Sequence, residues 1–251
     1  MKRVKRIIGL LAMAAFIVSP SLVFASGQMG VYVTPKFVYG YLLGHDLKNT
    51  WGIYDYGATD RGKSEYETKG AHAFGGALAL GYDLHKRLGA PVRLELEYTL
   101  FGKVESKDSR RFEYGGHHRK LDLGIQTIFT NVYYDFRNTS AFTPYLGFGL
   151  GLALVDAKGK HWEAGGGTTF SPDKKSSSTN FAWNVSAGIA YAFTEMISLD
   201  LGYRLVSPGK AETKNMITRD LRPDDDFFET SHWKTNTLYM HQFMAGVRFT
   251  F

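Results

Sequence analysis

The sequence predicts an all-β protein: an eight-stranded, antiparallel, up-and-down transmembrane β-barrel with short periplasmic turns and long extracellular loops. Three observations carry that reading. Segments with strict two-residue alternation recur along the chain. The faces opposite the large apolar residues consist of Gly, Ala and charged groups. The connections between segments alternate between short and long. Successive strand side chains point to opposite faces, so alternation of this kind marks a two-faced strand.

A leader precedes the strands. Lys2, Arg3, Lys5 and Arg6 are followed by an apolar run from Ile7 to Val18, which Pro20 interrupts. Val23 and Ala25 then occupy the −3 and −1 positions of a cut between Ala25 and Ser26, the pattern of a secretory signal peptide. The chain thus divides into a leader, 1–25, and a barrel domain, 26–251. A membrane-spanning helix needs roughly 18 or more uninterrupted apolar residues, and no stretch reaches that length. The 30 Lys and Arg exceed the 24 Asp and Glu, but removing the four leader cations leaves 26 against 24. No basic excess remains to suggest a nucleic-acid partner. With no cysteine, disulfides and thiolate metal sites are excluded.

The strand segments, in order, are 29–42, 71–84, 91–102, 118–136, 142–155, 180–193, 197–207 and 236–251. Each meets the roughly 9–11 residues that a tilted strand needs to cross a bilayer. The third reads PVRLELEYTL, with Val92, Leu94, Leu96, Tyr98 and Leu100 on one face and Arg93, Glu95, Glu97 and Thr99 on the other. In the fourth, Leu121, Leu123 and Ile125 share one parity, whereas Val132, Tyr134 and Phe136 share the other. A β-bulge or a change of environment near 127–130 would account for this. The fifth, FTPYLGFGLGLAL, sets Phe148, Leu150 and Leu152 against Gly147, Gly149 and Gly151. The sixth, FAWNVSAGIAYAF, sets Trp183, Val185 and Ile189 against Ala182, Ser186 and Gly188. The seventh sets Leu199, Leu201 and Tyr203 against Asp200, Gly202 and Arg204.

These faces decide which side is wet. Were the large residues internal, the outside of strands five and six would be bare Gly and Ala, a poor strand surface. Inverting the assignment puts the small residues and charges into a narrow interior and the large apolar ones against lipid. An eight-stranded barrel encloses only enough space for side chains. The long segments 43–70, 103–117, 156–179 and 208–235 alternate with the short connections HKRLGA, RNTSA and TEM, as in outer-membrane barrels with both termini on the periplasmic side. Aromatics beside the short turns (Tyr82, Tyr134, Phe136, Phe142, Tyr191, Phe193, Phe249, Phe251) form an inner girdle. Tyr39, Tyr41, Phe74, Tyr98, Phe101, Trp183 and Tyr203 form the outer one.

The candidate site is the lumenal set Lys36, Arg93, Glu95, Glu97, Asp200, Arg204 and Arg248. Charges sharing a narrow interior must pair or their desolvation dominates, so a plug of ion pairs is expected; an ion or proton path is the alternative. Histidines 45, 117, 118, 161 and 232 lie in or beside loops without metal-ligand spacing. His241 falls on the lipid side and reads as a headgroup-level side chain, since no serine stands at a spacing that would complete a lipid-modifying site. The aromatic, mixed-charge segments 43–70 and 208–235 are either the places for an extracellular ligand or soluble loops that shield the rim.

The stretches TNVYYDF, TPYLGFGLGLA, VSAGIAYAF, SLDLGYRLV and the terminal FMAGVRFTF resemble the opacity-type outer-membrane β-barrel family of small surface antigens. The resemblance covers about Met29 to Phe251. It implies no shared enzymatic activity, and adhesive, small-pore or structural roles at the cell surface. Phe249 and Phe251 resemble the C-terminal signal read by the barrel assembly machinery, a transient partner. The expectation is a monomeric, cofactor-free surface barrel set in outer-membrane lipid and lipopolysaccharide, with an envelope-structural or adhesive role. A narrow ion or small-solute channel and, more remotely, a lipid-modifying enzyme are the alternatives.

Overall fold

The computed structural model describes residues 30–43, 46–55, 58–67, 70–102, 104–112, 115–164, 175–212, 216–219 and 228–251. The signal peptide, including the Ala25–Ser26 cut, lies outside the described residues. In chain order the strands are β1 (Val31–Leu42), β2 (Asp46–Asp55), β3 (Ala58–Glu67), β4 (Ala71–Asp83), β5 (Val92–Phe101), β6 (Val104–Phe112) and β7 (Gly115–Asp135). They continue as β8 (Phe142–Ala164), β9 (Lys175–Ala192), β10 (Ile197–Gly209), β11 (Met216–Arg219), β12 (Phe228–Thr235) and β13 (Leu238–Thr250). One helical turn, α1 (His85–Leu88), lies between β4 and β5 and closes on Gly89. Its φ of 68° and its N–H bond to the His85 carbonyl make this a left-handed helix cap, which suits glycine.

Eight strands close into a barrel. The order β5-β4-β1-β13-β10-β9-β8-β7 is antiparallel throughout, and pairing of β5 with β7 joins its ends. Closure leaves no unpaired edge in the bilayer, where an unsatisfied backbone group is costly. Where the chain begins and ends, Gly30 N–H bonds the Phe251 carbonyl and Phe251 N–H bonds that of Val31. Phe249 faces outward on the periplasmic side, opposite Val33.

The inside–outside assignment follows the alternation. In β5, Leu94, Leu96 and Leu100 are exposed on the barrel exterior, while Arg93, Glu95, Glu97 and Thr99 are buried. Phe148, Leu150 and Leu152 of β8 face outward, as do Phe181, Val185 and Ile189 of β9. Gly149 is where a side chain could not fit. A Cβ there would stand 2.0 Å from Asn131 Oδ1 and 2.3 Å from Asn184 Nδ2, two side chains that bond each other across it.

The structure decides one alternative and corrects two expectations. No bulge interrupts β7: its register with β8 runs unbroken from Gly116↔Ala164 to Asp135↔Tyr145, and that with β5 from Val92↔Tyr134 to Leu100↔Gln126. What changes near 127–130 is the environment, because Leu123, Ile125, Thr127, Phe129, Asn131, Tyr133 and Asp135 all point inward. Phe101 does not belong to the outer girdle. It shares the parity of Arg93 and is buried among lumenal apolar residues. The long connections are not merely loops. β6 pairs with the outer part of β7, and β11-β12-β2-β3 form a separate four-stranded sheet.

The lumen is therefore stratified. Its periplasmic and middle levels are polar, and its extracellular level is an apolar core of Val38, Leu42, Phe101, Leu123, Ile125, Val206, Leu238 and Met240. Burying a side chain of this size contributes about 1.5–3 kcal/mol, so the upper core adds stability that a wholly polar plug would not. Two substitutions test the assignment. Leu150→Arg should destabilise the barrel by about 2–4 kcal/mol if it sits near the midplane. Gly149→Ala should destabilise it by about 1–3 kcal/mol through overpacking. Urea unfolding in lipid vesicles measures both; a harmless Leu150→Arg would invert the faces of β8.

Candidate functional site

β4 provides the floor on which the lumenal charges meet. Its inward residues Ala77, Ala79 and Gly81 are small, and the strand lies between β1 and β5. Ala79 pairs with Glu97 and Gly81 with Glu95, while Lys36 of β1 pairs with Ala77. Long side chains from the two flanking strands can therefore cross above β4. Lys36 Nζ lies 2.6 Å from Glu95 Oε1 and 2.6 Å from Glu97 Oε2. Tyr32 reaches over Gly81 in the same way, its hydroxyl 3.3 Å from Glu95 Oε2. A Cβ at position 81 would enter the Tyr32 ring.

The opposite wall supplies the second cation. Arg204 of β10 and Gln242 of β13 are in direct register. Arg204 donates through Nε (2.9 Å) and Nη2 (2.7 Å) to Gln242 Oε1, and through Nη1 to Glu97 Oε1 at 2.7 Å. Thr99 Oγ1 donates to the same Glu97 oxygen at 2.9 Å. The Glu97 carboxylate thus binds cations from both walls and is fully enclosed. Charge-assisted contacts of this kind are the strong class of hydrogen bond.

Nearer the periplasm the other two arginines have carboxylate partners of their own. Arg93 Nε holds Asp135 at 3.0 and 2.8 Å, and Arg248 forms a two-point contact with Asp200. Tyr32, Tyr133 and Tyr145 surround the Arg93 guanidinium, their ring centres 5.8, 4.9 and 5.1 Å away. Asp135 completes the balance of this polar layer, giving four carboxylates for four cations among the described residues below the apolar core and inside the Asp83–Arg137 rim pair. At the rim, Arg137 Nη2 reaches Asp83 at 2.6 Å and Asp135 at 3.6 Å, linking the two neighbouring turns.

All seven residues singled out in the sequence thus sit in the barrel interior, and the geometry joins them as Glu95–Lys36–Glu97–Arg204 and Arg248–Asp200, with Arg93 on Asp135. Asp135, Asp83, Arg137 and Gln242 were missed. For Asp135 the signal was present, because it shares the parity of Asn131 and Tyr133 once β7 is read without a bulge. The void in the polar layer, between Lys36, Arg93, Glu95, Tyr133, Tyr145 and Asp200, measures only about 10 Å³. That is room for one water.

His241 lies on the exterior, its Nδ1 2.5 Å from the Tyr203 hydroxyl. Tyr39 and His72 form a similar pair at 2.6 Å. Tyr39, Phe74, Tyr203 and Phe243 stack beside them into a continuous aromatic band on β4, β1, β13 and β10. Such amphipathic rings suit the membrane–water boundary. His45 lies outside the described residues.

A closed barrel with a lipid-facing apolar band, aromatic girdles and a charge-paired lumen defines an integral outer-membrane β-barrel protein. The chain belongs to the outer membrane protein beta-barrel domain family, which it matches over residues 8–251, and it resides in the outer membrane. It is 30% identical over 234 residues to the outer membrane protein PagN of Salmonella typhimurium, covering 90% of this chain and 92% of PagN. It is also 30% identical over 179 residues to a putative adhesin, RC1281, of Rickettsia conorii, covering 70% and 67% of the two chains. The crystal structure of Neisserial surface protein A aligns over 90% of this chain and 100% of its own, at 19% identity and a TM-score of 0.47.

Removing one carboxylate of the network should be worse than removing a matched pair. Glu97→Gln should cost about 3–5 kcal/mol by leaving buried cations underpaired. Adding Arg204→Met should recover part of that loss, so the double variant falls short of the sum of the singles. Urea titrations in lipid vesicles check both; strict additivity would dissolve the Glu97–Arg204 pair as a unit.

Proposed function

We propose that the protein is a non-enzymatic surface scaffold whose sealed barrel holds a folded adhesive platform outside the membrane. One observation carries this reading. Segments 43–70 and 208–235, distant in the chain, supply strands to one sheet, in which β12 pairs with β2 from Phe228↔Tyr54 to Thr235↔Leu47. A shield for the rim would not require two separate segments to pair. The adhesin description of a relative points the same way.

Conduction has less support than the glycines implied. The space beside Gly81, Gly147 and Gly188 is filled by the rings of Tyr32, Tyr133 and Tyr145.

Two measurements test the scaffold. In planar bilayers the refolded protein should give no sustained current steps, and an open conductance in the wild type would restore the channel. Replacing 46–67 with a short turn should abolish attachment of expressing cells to a host-cell layer while leaving heat-modifiable migration unchanged. Undiminished attachment would remove the four-stranded sheet from the role.

A further inference from the structure

The upper rim carries a second candidate site, on the barrel's side rather than in its lumen. The register of β10 against β13 shifts between Val206 and Gly209. Gly209 has φ +85°, and a side chain there would also strike Asn180, its Cβ 2.5 Å from that of the asparagine. The displaced segment is pinned from both sides. Asn180 Nδ2 donates to the carbonyls of Pro208 (3.2 Å) and Lys210 (2.7 Å). Ala211 N–H donates to Thr235 Oγ1 at 2.8 Å, and Thr235 N–H returns a bond to the Ala211 carbonyl at 2.9 Å. The backbone here is preformed.

Beside this segment lies a groove of about 520 Å³, walled by Trp183, Phe181, Asn180, Ser207, Lys210 and Thr237 among others. Its size falls within the roughly 300–1,000 Å³ of small-ligand sites. Trp183 stands edge-on to Tyr239, with ring centres 6.4 Å apart. Phe181, 65% exposed, continues the wall on the outward face of β9, one step nearer the extracellular end than Trp183. The Lys210 ammonium has no ion-pair partner among the described residues. Glu212 also lines the groove, but its carboxylate is engaged by Lys234 at 2.5 Å, which holds it below the usual range.

We propose that this groove binds the phosphorylated sugar headgroup of an outer-leaflet glycolipid. An indole face stacks on the apolar face of a pyranose, and the Asn, Ser and Thr side chains offer partners to ring hydroxyls. Lys210 supplies the point charge for a phosphate. The groove opens at the level of the aromatic girdle, where headgroups lie. Val185 and Ile189, further along the outward face of β9 toward the periplasm, give an acyl chain an apolar path. That path favours a lipid-borne sugar phosphate over a free one.

The test uses the refolded mature protein in phosphatidylcholine vesicles containing a few per cent lipid A. Detergent extraction follows, and retained lipid A per protein is read by mass spectrometry. Lys210→Gln and Trp183→Phe should each lower retention about tenfold, the scale of one lost charge-assisted or stacking contact. Lys48→Gln, at an exposed pair in the outer sheet, should leave it unchanged, and all variants should keep heat-modifiable migration. Phosphatidylglycerol at equal charge and free glucosamine 1-phosphate should compete poorly. Equal retention by Lys210→Gln and wild type would overturn the site. Equal competition by phosphatidylglycerol would reduce it to nonspecific charge, and equal competition by the free sugar phosphate would overturn the lipid source.

Discussion

The rest of the barrel depends on the requirement that charges in a space too narrow for bulk water be paired. Eight strands give an interior filled by side chains, and among the described residues its polar layer holds four cations paired with four carboxylates. The pairing works because β4 is small. Its Ala77, Ala79 and Gly81 let Lys36 and Tyr32 on one side meet Glu95 and Glu97 on the other. A bulky residue on β4 would separate the partners without touching either charge. The glycines and alanines of the lumen are therefore the complement of its long polar side chains, and the two sets have to be considered together.

Above this layer the interior becomes apolar. Phe129 lies at the border, its ring centre 5.6 Å from the Arg204 guanidinium carbon, and Leu123, Ile125, Leu238 and Met240 fill the space beyond. The arrangement joins two kinds of interior. The lower one resembles a membrane-protein lumen, and the upper resembles the core of a soluble domain. The upper core also gives the extracellular strands a packed base, since Leu42 and Leu238 are the ends of strands that lead directly into the outer sheet.

Much of the architecture was legible because the period of a strand is two and the lipid face tolerates little polarity. PVRLELEYTL alone orients β5. The pairing partners were not legible, because parity places Arg93 in the lumen without saying whether it meets Glu95 or Asp135. That choice depends on how the strands are staggered around the barrel. The outer strands were hidden for another reason. VESKDSRRF has no apolar alternation and becomes a strand by pairing with β7, while the Leu47, Trp51, Ile53 alternation of β2 was a signal that could have been read. The lateral groove depends on a register shift, which has no simple mark in the sequence beyond Pro208-Gly209.

The length of β7 and β8 has a consequence for reach. They contain 21 and 23 residues, whereas a tilted crossing uses about 9–11. Roughly ten residues of each strand remain beyond the bilayer, on the order of 33 Å of continuous hydrogen-bonded ribbon. A ribbon anchored in a packed barrel acts as a cantilever. It sets how far beyond the bilayer its outer end is held.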